Sequence, residues 1–401
     1  MNNVKGEVAI KYPVADVNED VAWVKERFRK YNFRMPVLLS RLGIEKYEMW
    51  ANNDVQVEIC VAQYLSKKVQ DELDILTRVF ALSSVEQRHV LKRVFSEAEL
   101  NQLVDMDVLI PIGQDMLACE IALLECDGLL MATDSLTKIH PGINRVMPLL
   151  AEVYEFDAAR VRGEVNETLD LCSGSGIHGL LASRHSTRVT CVDNNPRAIA
   201  FSRFNLLLNG IDNVDILEGD LYSCIEGKLF DLILANPPYV PTEESLPGEN
   251  HYSGGPRGDA ISSRIIQGLP KFLRKNGICQ IIHLRAFDNE QDMKGWLREN
   301  LLEDASQFGF LVLGRVVEPM TRPIENVSFI EWGITNISRL DNEEEPFYHH
   351  APYTYPLPYD IEDLFDVLLR AADSNAREKA FLEFTQSGNA TEPSQQQLEI
   401  V

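Results

Sequence analysis

Leu169-Asp170-Leu171-Cys172-Ser173-Gly174-Ser175-Gly176-Ile177-His178-Gly179 is the stretch on which the fold of this chain turns. Thr168 to Cys172 is a short apolar run of strand type. The glycines then make a turn, and Ile177 to Arg184 takes up helical spacing. Glycine at such a turn lets the backbone approach a bound molecule and reach dihedrals closed to other residues. Gly174 to Gly179 also satisfies GxGxxG, the dinucleotide fingerprint, which alone is a weak signal and keeps a dehydrogenase in view. Downstream the pattern repeats as strand Arg188–Asp193, helix Pro196–Asn209, and strands Val214–Leu217 and Leu229–Ala235. Helix Ala260–Arg274, strand Ile278–Leu284 and helix Asn289–Asn300 follow, and Phe310–Val317 with Ser328–Ile337 closes as an antiparallel pair. Strands alternating with helices predict an α/β fold, a parallel sheet with right-handed crossovers.

Carboxylates sharpen the expected ligand. Asp170 stands on the strand before the glycines, a position suited to the cationic part of a ligand and awkward beside a pyrophosphate. Asp193 ends the next strand, about 20 residues beyond the first glycine, where an acid accepts from ribose hydroxyls. Asp220, in Glu218-Gly219-Asp220-Leu221, ends the third and offers an acceptor for an adenine amino group. Such acids suit a cofactor that carries an ammonium and a sulfonium beside its adenosine, as S-adenosyl-L-methionine does. Cys172, Ser173, Gly174, Gly176, Asn194, Leu221 and Asn236 complete the expected cofactor-binding set.

Asn236-Pro237-Pro238-Tyr239 follows the fourth strand at the carboxyl edge, where such sheets bind ligands. An amide or aromatic amine has a delocalised lone pair and is a poor nucleophile. The Asn236 side-chain oxygen and the Pro237 carbonyl together can accept both hydrogens of one NH2 group, orienting the nitrogen and favouring positive charge on it. Proline stiffens the loop and has no N–H to compete for that carbonyl. Tyr239 is expected to stack on the planar group being methylated. Asn236, Pro237 and Tyr239 are therefore the expected catalytic residues.

Residues 168 to 285 resemble class I S-adenosylmethionine-dependent methyltransferases, whose Rossmann-like sheet has seven strands. Val192-Asp193-Asn194-Asn195-Pro196-Arg197-Ala198, Asn205, Asn236 to Pro241 and Gly254-Gly255-Pro256-Arg257-Gly258-Asp259 narrow the resemblance to the HemK-type protein-glutamine methyltransferases. The resemblance implies that the Gly254-Gly255 loop covers the active site and shapes a substrate pocket. Asp134, Glu249, His251, Tyr252 and Arg257 lie where substrate contacts are expected. One departure is plain: the Pro-Arg-acid-Thr-Glu-like segment of that family is absent. Met131 to Thr137, then His140-Pro141-Gly142, stand in its place. His178, on the helix after the glycines, reads as a packed or exposed bystander.

The 401 residues, 45% hydrophobic and 25% charged, accommodate one large unit and a smaller one. Residues 1–130 read as a mostly helical, winged-helix-like accessory domain. Ser83 and Ser84 are expected to cap a helix over Val85–Val94, and Ser96 with Glu99 forms a capping box for Glu97–Val104. A hairpin of Val108–Ile110 and Met116–Leu124 follows. Residues 131–340 read as the methyltransferase domain. Residues 341–401 read as an extension: a surface-hugging segment, a helix over Ile361–Phe384 and a disordered tail.

A net charge of −23 repels a polyanion at long range, which argues against nucleic acid as partner. Seven cysteines with no CxxC pair fit reduced thiols and no metal site. No long apolar run points to a membrane, and the expected location is cytoplasmic. Together these features predict an N-methyltransferase acting on an amide, amino or guanidino nitrogen of an amino-acid-like small molecule or a protein side chain. A base-modifying enzyme and a non-catalytic ligand sensor are the alternatives. The number of methyls added and the oligomeric state have no signature here.

Overall fold

The computed structural model describes residues 13, 21–44, 55–135, 144–242, 252–287, 292–317, 329–341 and 346–353, together with 376, 379, 380 and 383. Helices Ala22–Lys30, Met35–Leu42, Val55–Ser66 and Glu72–Leu76 come first, the last running into a wider turn over Thr77–Ala81. Strand β1 (Val85–Gln87), helices Arg88–Leu91 and Glu97–Asp105, and strands β2 (Ile110–Ile112) and β3 (Met116–Ala118) follow. The capping box forms as expected: the Ser96 hydroxyl accepts the Glu99 N–H, and the Glu99 carboxylate accepts that of Ser96. The helix expected over 85–94 forms only over Arg88–Leu91. Ser83 turns the chain at φ 50°, and Val85 to Gln87 pair with β3 in a small sheet ordered β1-β3-β2. Cross-strand pairing there outweighs local propensity.

The run expected as a single strand over Met116–Leu124 also divides. β4 (Ile121–Cys126) leaves β3 and pairs with β5 (Leu129–Asp134) across Asp127-Gly128. Both turn residues have positive φ, 45° and 73°, as a two-residue hairpin turn requires. The free edge of β5 meets side chains in place of a strand. Asn209 and Asn205, four apart on helix Pro196–Asn209, each accept an N–H from β5 and donate to a carbonyl of it, at Leu130 and Ala132 respectively. Two amides thus satisfy backbone groups that an edge strand otherwise leaves open.

The main sheet holds β6 (Val165–Leu171), β7 (Ser186–Asp193), β8 (Val214–Glu218), β9 (Phe230–Ala235) and β10 (Leu273–Phe287). β11 (Phe308–Val317), β12 (Phe329–Arg339) and β13 (Tyr348–Pro352) complete it, in the order β13-β11-β12-β10-β9-β6-β7-β8. β6 to β10 run parallel, and β12 lies antiparallel between β10 and β11. All seven expected strands are present, and β13 adds an eighth, parallel to β11. It arises inside the segment expected to hug the surface, where Phe310 N–H on β11 bonds the Phe347 carbonyl at 2.9 Å. The helix expected over 361–384 and the tail beyond it lie outside the described residues, four positions aside.

Period-two alternation puts a core on each face. On β9, Leu232 and Leu234 join one buried cluster while Ile233 and Ala235 join the other. Fully burying one such side chain contributes about 1.5–3 kcal/mol. Helix Pro196–Asn209 has the expected bounds, and Ile177–Ala182, Ala260–Phe272 and Met293–Leu301 lie where helices were expected, with shifted ends. Strand order reverses between β6 and β9, which opens a crevice at the carboxyl ends of the strands.

Candidate active site

A cavity of about 400 Å³ lies in that crevice, within the size range of small-molecule sites. Its walls come from the turns after β6, β7, β8 and β9 and from residues 144–149, ahead of helix Ala151–Ala158.

The turn after β6 is held from several sides. Cys172, Gly174 and Gly176 have φ of 56°, 56° and 83°, so a non-glycine residue occupies the left-handed region at its start. Ser173 N–H bonds the Val192 carbonyl at 3.1 Å. Helix Pro196–Asn209 reaches in with Ser202, donating to the Gly174 carbonyl at 2.8 Å, and Asn205, donating to that of Ser175 at 2.9 Å. Cys172, Ser173, Gly174 and Ser175 line the cavity. Gly176 shapes the turn from behind, where an added Cβ would come within 3.1 Å of the Ser202 hydroxyl.

The three acids differ sharply. Asp193 lines the cavity, its carboxylate accepting Gly174 N–H at 2.8 Å and Asn195 N–H at 2.9 Å. Burial raises its pKa, against those hydrogen bonds. Asp220 also lines the cavity, beside Leu221. Its carboxylate is exposed and pairs with Arg264 at 2.7 Å. Asp170 is placed otherwise than expected: it is fully buried beneath the turn and is not part of the cavity wall. One oxygen accepts Gly179 N–H at 2.8 Å, the other has no partner, and burial pushes its pKa up to about 7. A carboxyl so enclosed supports the turn from below.

Asn236 follows β9 into the cavity wall, and its side-chain oxygen is buried there without a hydrogen-bond partner. Pro238 also faces the cavity; Pro237 is buried and outside the wall. The stacking role expected of Tyr239 meets a different geometry. Its hydroxyl donates to Glu152 of helix Ala151–Ala158 at 3.1 Å, and its ring packs on the core, away from the cavity. Burial raises the pKa of both partners. The glycine loop pairs with the residue that follows this tetrapeptide: Val240 N–H bonds the Tyr252 carbonyl and Gly254 N–H bonds the Val240 carbonyl. A Cβ on Gly258 would fall 2.3 Å from the Tyr239 carbonyl oxygen, so only glycine permits this contact.

Of the residues expected to contact substrate, Asp134 is instead buried, bound by both arms of the Arg197 guanidinium. It also accepts Val146 N–H at 2.7 Å, anchoring the 144–149 wall. Tyr252 and Arg257 lie in the glycine loop, outside the cavity wall. Glu249 and His251 fall outside the described residues. Sequence reasoning missed the wall over 144–149, the partner Glu152 and the wall residue His178. Arg145-Val146-Met147-Pro148, just upstream of a helix and of the glycine turn, was the available signal.

Residues 154–313 match the family described as the methyltransferase small domain. A putative protein N5-glutamine methyltransferase of Methanocaldococcus jannaschii is 35% identical over 121 residues, 29% of this chain and 60% of that one. A ribosomal protein uL3 glutamine methyltransferase of Francisella tularensis is 33% identical, over 29% of this chain and 40% of that one. A release factor glutamine methyltransferase of Thermodesulfovibrio yellowstonii is 33% identical, over 28% and 44%. The chain spans about half the length of these relatives. The part that holds the cavity is a class I methyltransferase domain, and S-adenosylmethionine is its cofactor. The cavity suits that molecule: acidic acceptors, glycine backbone and buried polar atoms without partners line one space.

Proposed function

We propose that this domain methylates the side-chain amide nitrogen of a glutamine in a protein. The single observation that carries the reading is the buried, partnerless oxygen of Asn236 in the cavity wall. A buried acceptor left open is costly, and a substrate N–H is the partner that satisfies it. The kinship with glutamine methyltransferases selects an amide over an amine.

S-adenosylmethionine supplies a methyl group on a positively charged sulfur, which becomes a neutral thioether as the carbon–nitrogen bond forms. In this reading Asp193 accepts from the ribose hydroxyls and Asp220 from the adenine amino group, while the glycine turn lets the backbone come close. Asn236 accepts one hydrogen of the substrate amide and the Pro237 carbonyl the other. That pair of acceptors fixes the nitrogen and favours the positive charge it acquires before a proton leaves. Tyr239, held by Glu152, braces the tetrapeptide from behind. The described residues include no helix long and apolar enough to cross a membrane, and a cytosolic protein substrate suits the reading. Residues 1–130 would serve as the accessory unit that presents the substrate and 131–340 as the catalytic one.

Asn236→Ala tests the assignment. Methyl transfer to a glutamine-bearing protein should fall about a hundredfold or more, the usual loss when one preorganised polar contact to developing charge is removed. Affinity for S-adenosylhomocysteine, measured by calorimetry, should stay near that of the parent. Unchanged turnover overturns the mechanism.

A further inference from the structure

His178 is the second residue of helix Ile177–Ala182 and forms part of the cavity wall. Only 3% of it is exposed, and neither ring nitrogen has a hydrogen-bond partner. The ring is fixed by edge-to-face packing on Phe156, with centroids 4.7 Å apart and planes at 85°. It is thereby held against swinging out to solvent. Burial pushes its pKa down to about 4, so the imidazole is neutral at pH 7 and offers one N–H donor and one lone pair. Buried polar groups of native proteins are almost always satisfied, and one in a cavity wall without a partner calls for a ligand to supply it.

The position of His178 says which part of the ligand that is. β7 and β8 bring Asp193, Asp220 and Leu221 to one end of the cavity. His178 shares the cavity wall with Val153 of helix Ala151–Ala158, and its ring packs on Phe156 of that same helix. The adenosine half of the cofactor matches the acids. The other half ends in an α-carboxylate, an acceptor for which the acids have no use. Arg145, on the same cavity wall, adds positive charge to the cavity.

We propose that His178 recognises the amino-acid end of the cofactor, donating its ring N–H to the α-carboxylate. The assignment rests on reading the cavity as the cofactor site. It separates two ligands: S-adenosylhomocysteine carries the amino-acid arm, and 5′-methylthioadenosine lacks it while keeping the adenosine half.

Calorimetric titration of the full chain, its His178→Phe variant and its His178→Gln variant with both ligands tests the proposal. For His178→Phe, S-adenosylhomocysteine should bind about ten- to a hundredfold more weakly, the loss expected for one hydrogen bond to a charged group. Binding of 5′-methylthioadenosine should be unchanged. His178→Gln keeps a donor and an acceptor and should recover most of the lost affinity. Circular dichroism and melting of the ligand-free variants establish that they fold; should the phenylalanine disrupt packing, His178→Leu replaces it. Equal losses for both ligands, or no loss for either, overturn the proposal. Unaltered binding of both ligands with a raised KM for the protein substrate also overturns it, and moves His178 to the substrate side. If the parent chain binds neither ligand, the reading of the cavity fails.

Discussion

Asn205 joins the edge of β5 to the active-site turn, and replacing it tests how the glycine turn is held. The residue is fully buried, and its amide makes three bonds. It accepts Ala132 N–H at 2.7 Å and donates to the carbonyls of Ala132 and Ser175, both at 2.9 Å. Asn205→Leu keeps the size and removes every polar atom, leaving one N–H and two carbonyls buried without partners. Each such group costs about 1–3 kcal/mol, so the variant should lose about 3–6 kcal/mol once the desolvation of the asparagine is credited back. That is a large part of the roughly 5–15 kcal/mol that holds a typical domain together. Asn209 makes the same two-bond pair with Leu130 but is half-buried, so water can replace it and Asn209→Leu should cost about 1 kcal/mol. Urea unfolding followed by circular dichroism measures both. Only Asn205 reaches the Ser175 carbonyl, so Asn205→Leu should also weaken S-adenosylhomocysteine binding and Asn209→Leu should not. If Asn205→Leu stays within about 1 kcal/mol of the parent, or Asn209→Leu costs as much, the edge-bracing argument is wrong.

Three further outcomes follow from the same geometry. Burial holds the Asp170 pKa at about 7, whereas an unfolded aspartate titrates near 3.9. The stability this carboxyl contributes is therefore present below about pH 4 and is lost as pH rises through 7. Asp170→Asn, neutral throughout, should gain on the parent between pH 5 and pH 8 in urea midpoints, and a pH-independent difference would contradict this. Gly179→Ala places a methyl group 2.2 Å from the Cys191 sulfur. It should destabilise by about 1–3 kcal/mol, relieved in the Gly179→Ala/Cys191→Ala double variant; equal melting temperatures of the single and double variants would refute steric overlap. Asp220→Asn removes an exposed pair with Arg264 and should change stability by less than about 1 kcal/mol. It should nonetheless narrow the preference for S-adenosylhomocysteine over its inosine analogue, and undiminished discrimination would take Asp220 out of the adenine site.

Much of the catalytic half was legible because strand and helix periods there agree with the packing. The seven sheet strands, helix Pro196–Asn209 and the placement of Asn236 at the cavity all come from local pattern. What escaped depends on contacts between distant segments. Val85 to Gln87 became a strand because β3 was there to receive it. β13 formed because β11 had an open edge. Asp134 looked like a free acid, and only folding brings Arg197 to it. Asp170 was assigned to the ligand from its place beside the glycines, yet strand alternation turns it under the turn. His178 looked idle because a lone histidine in an apolar helix carries no sign of what its nitrogens face.

In the proposed mechanism Asn236 presents a glutamine amide to the methyl donor. Mass spectrometry after incubating the protein with S-adenosylmethionine carrying a deuterated methyl group, and with a release factor or ribosomal protein uL3, tests it most directly. One labelled methyl on a glutamine side-chain nitrogen is expected, and none with Asn236→Ala. Label on a lysine, an arginine or a carboxylate, or no label on either protein while S-adenosylhomocysteine binds, would contradict it.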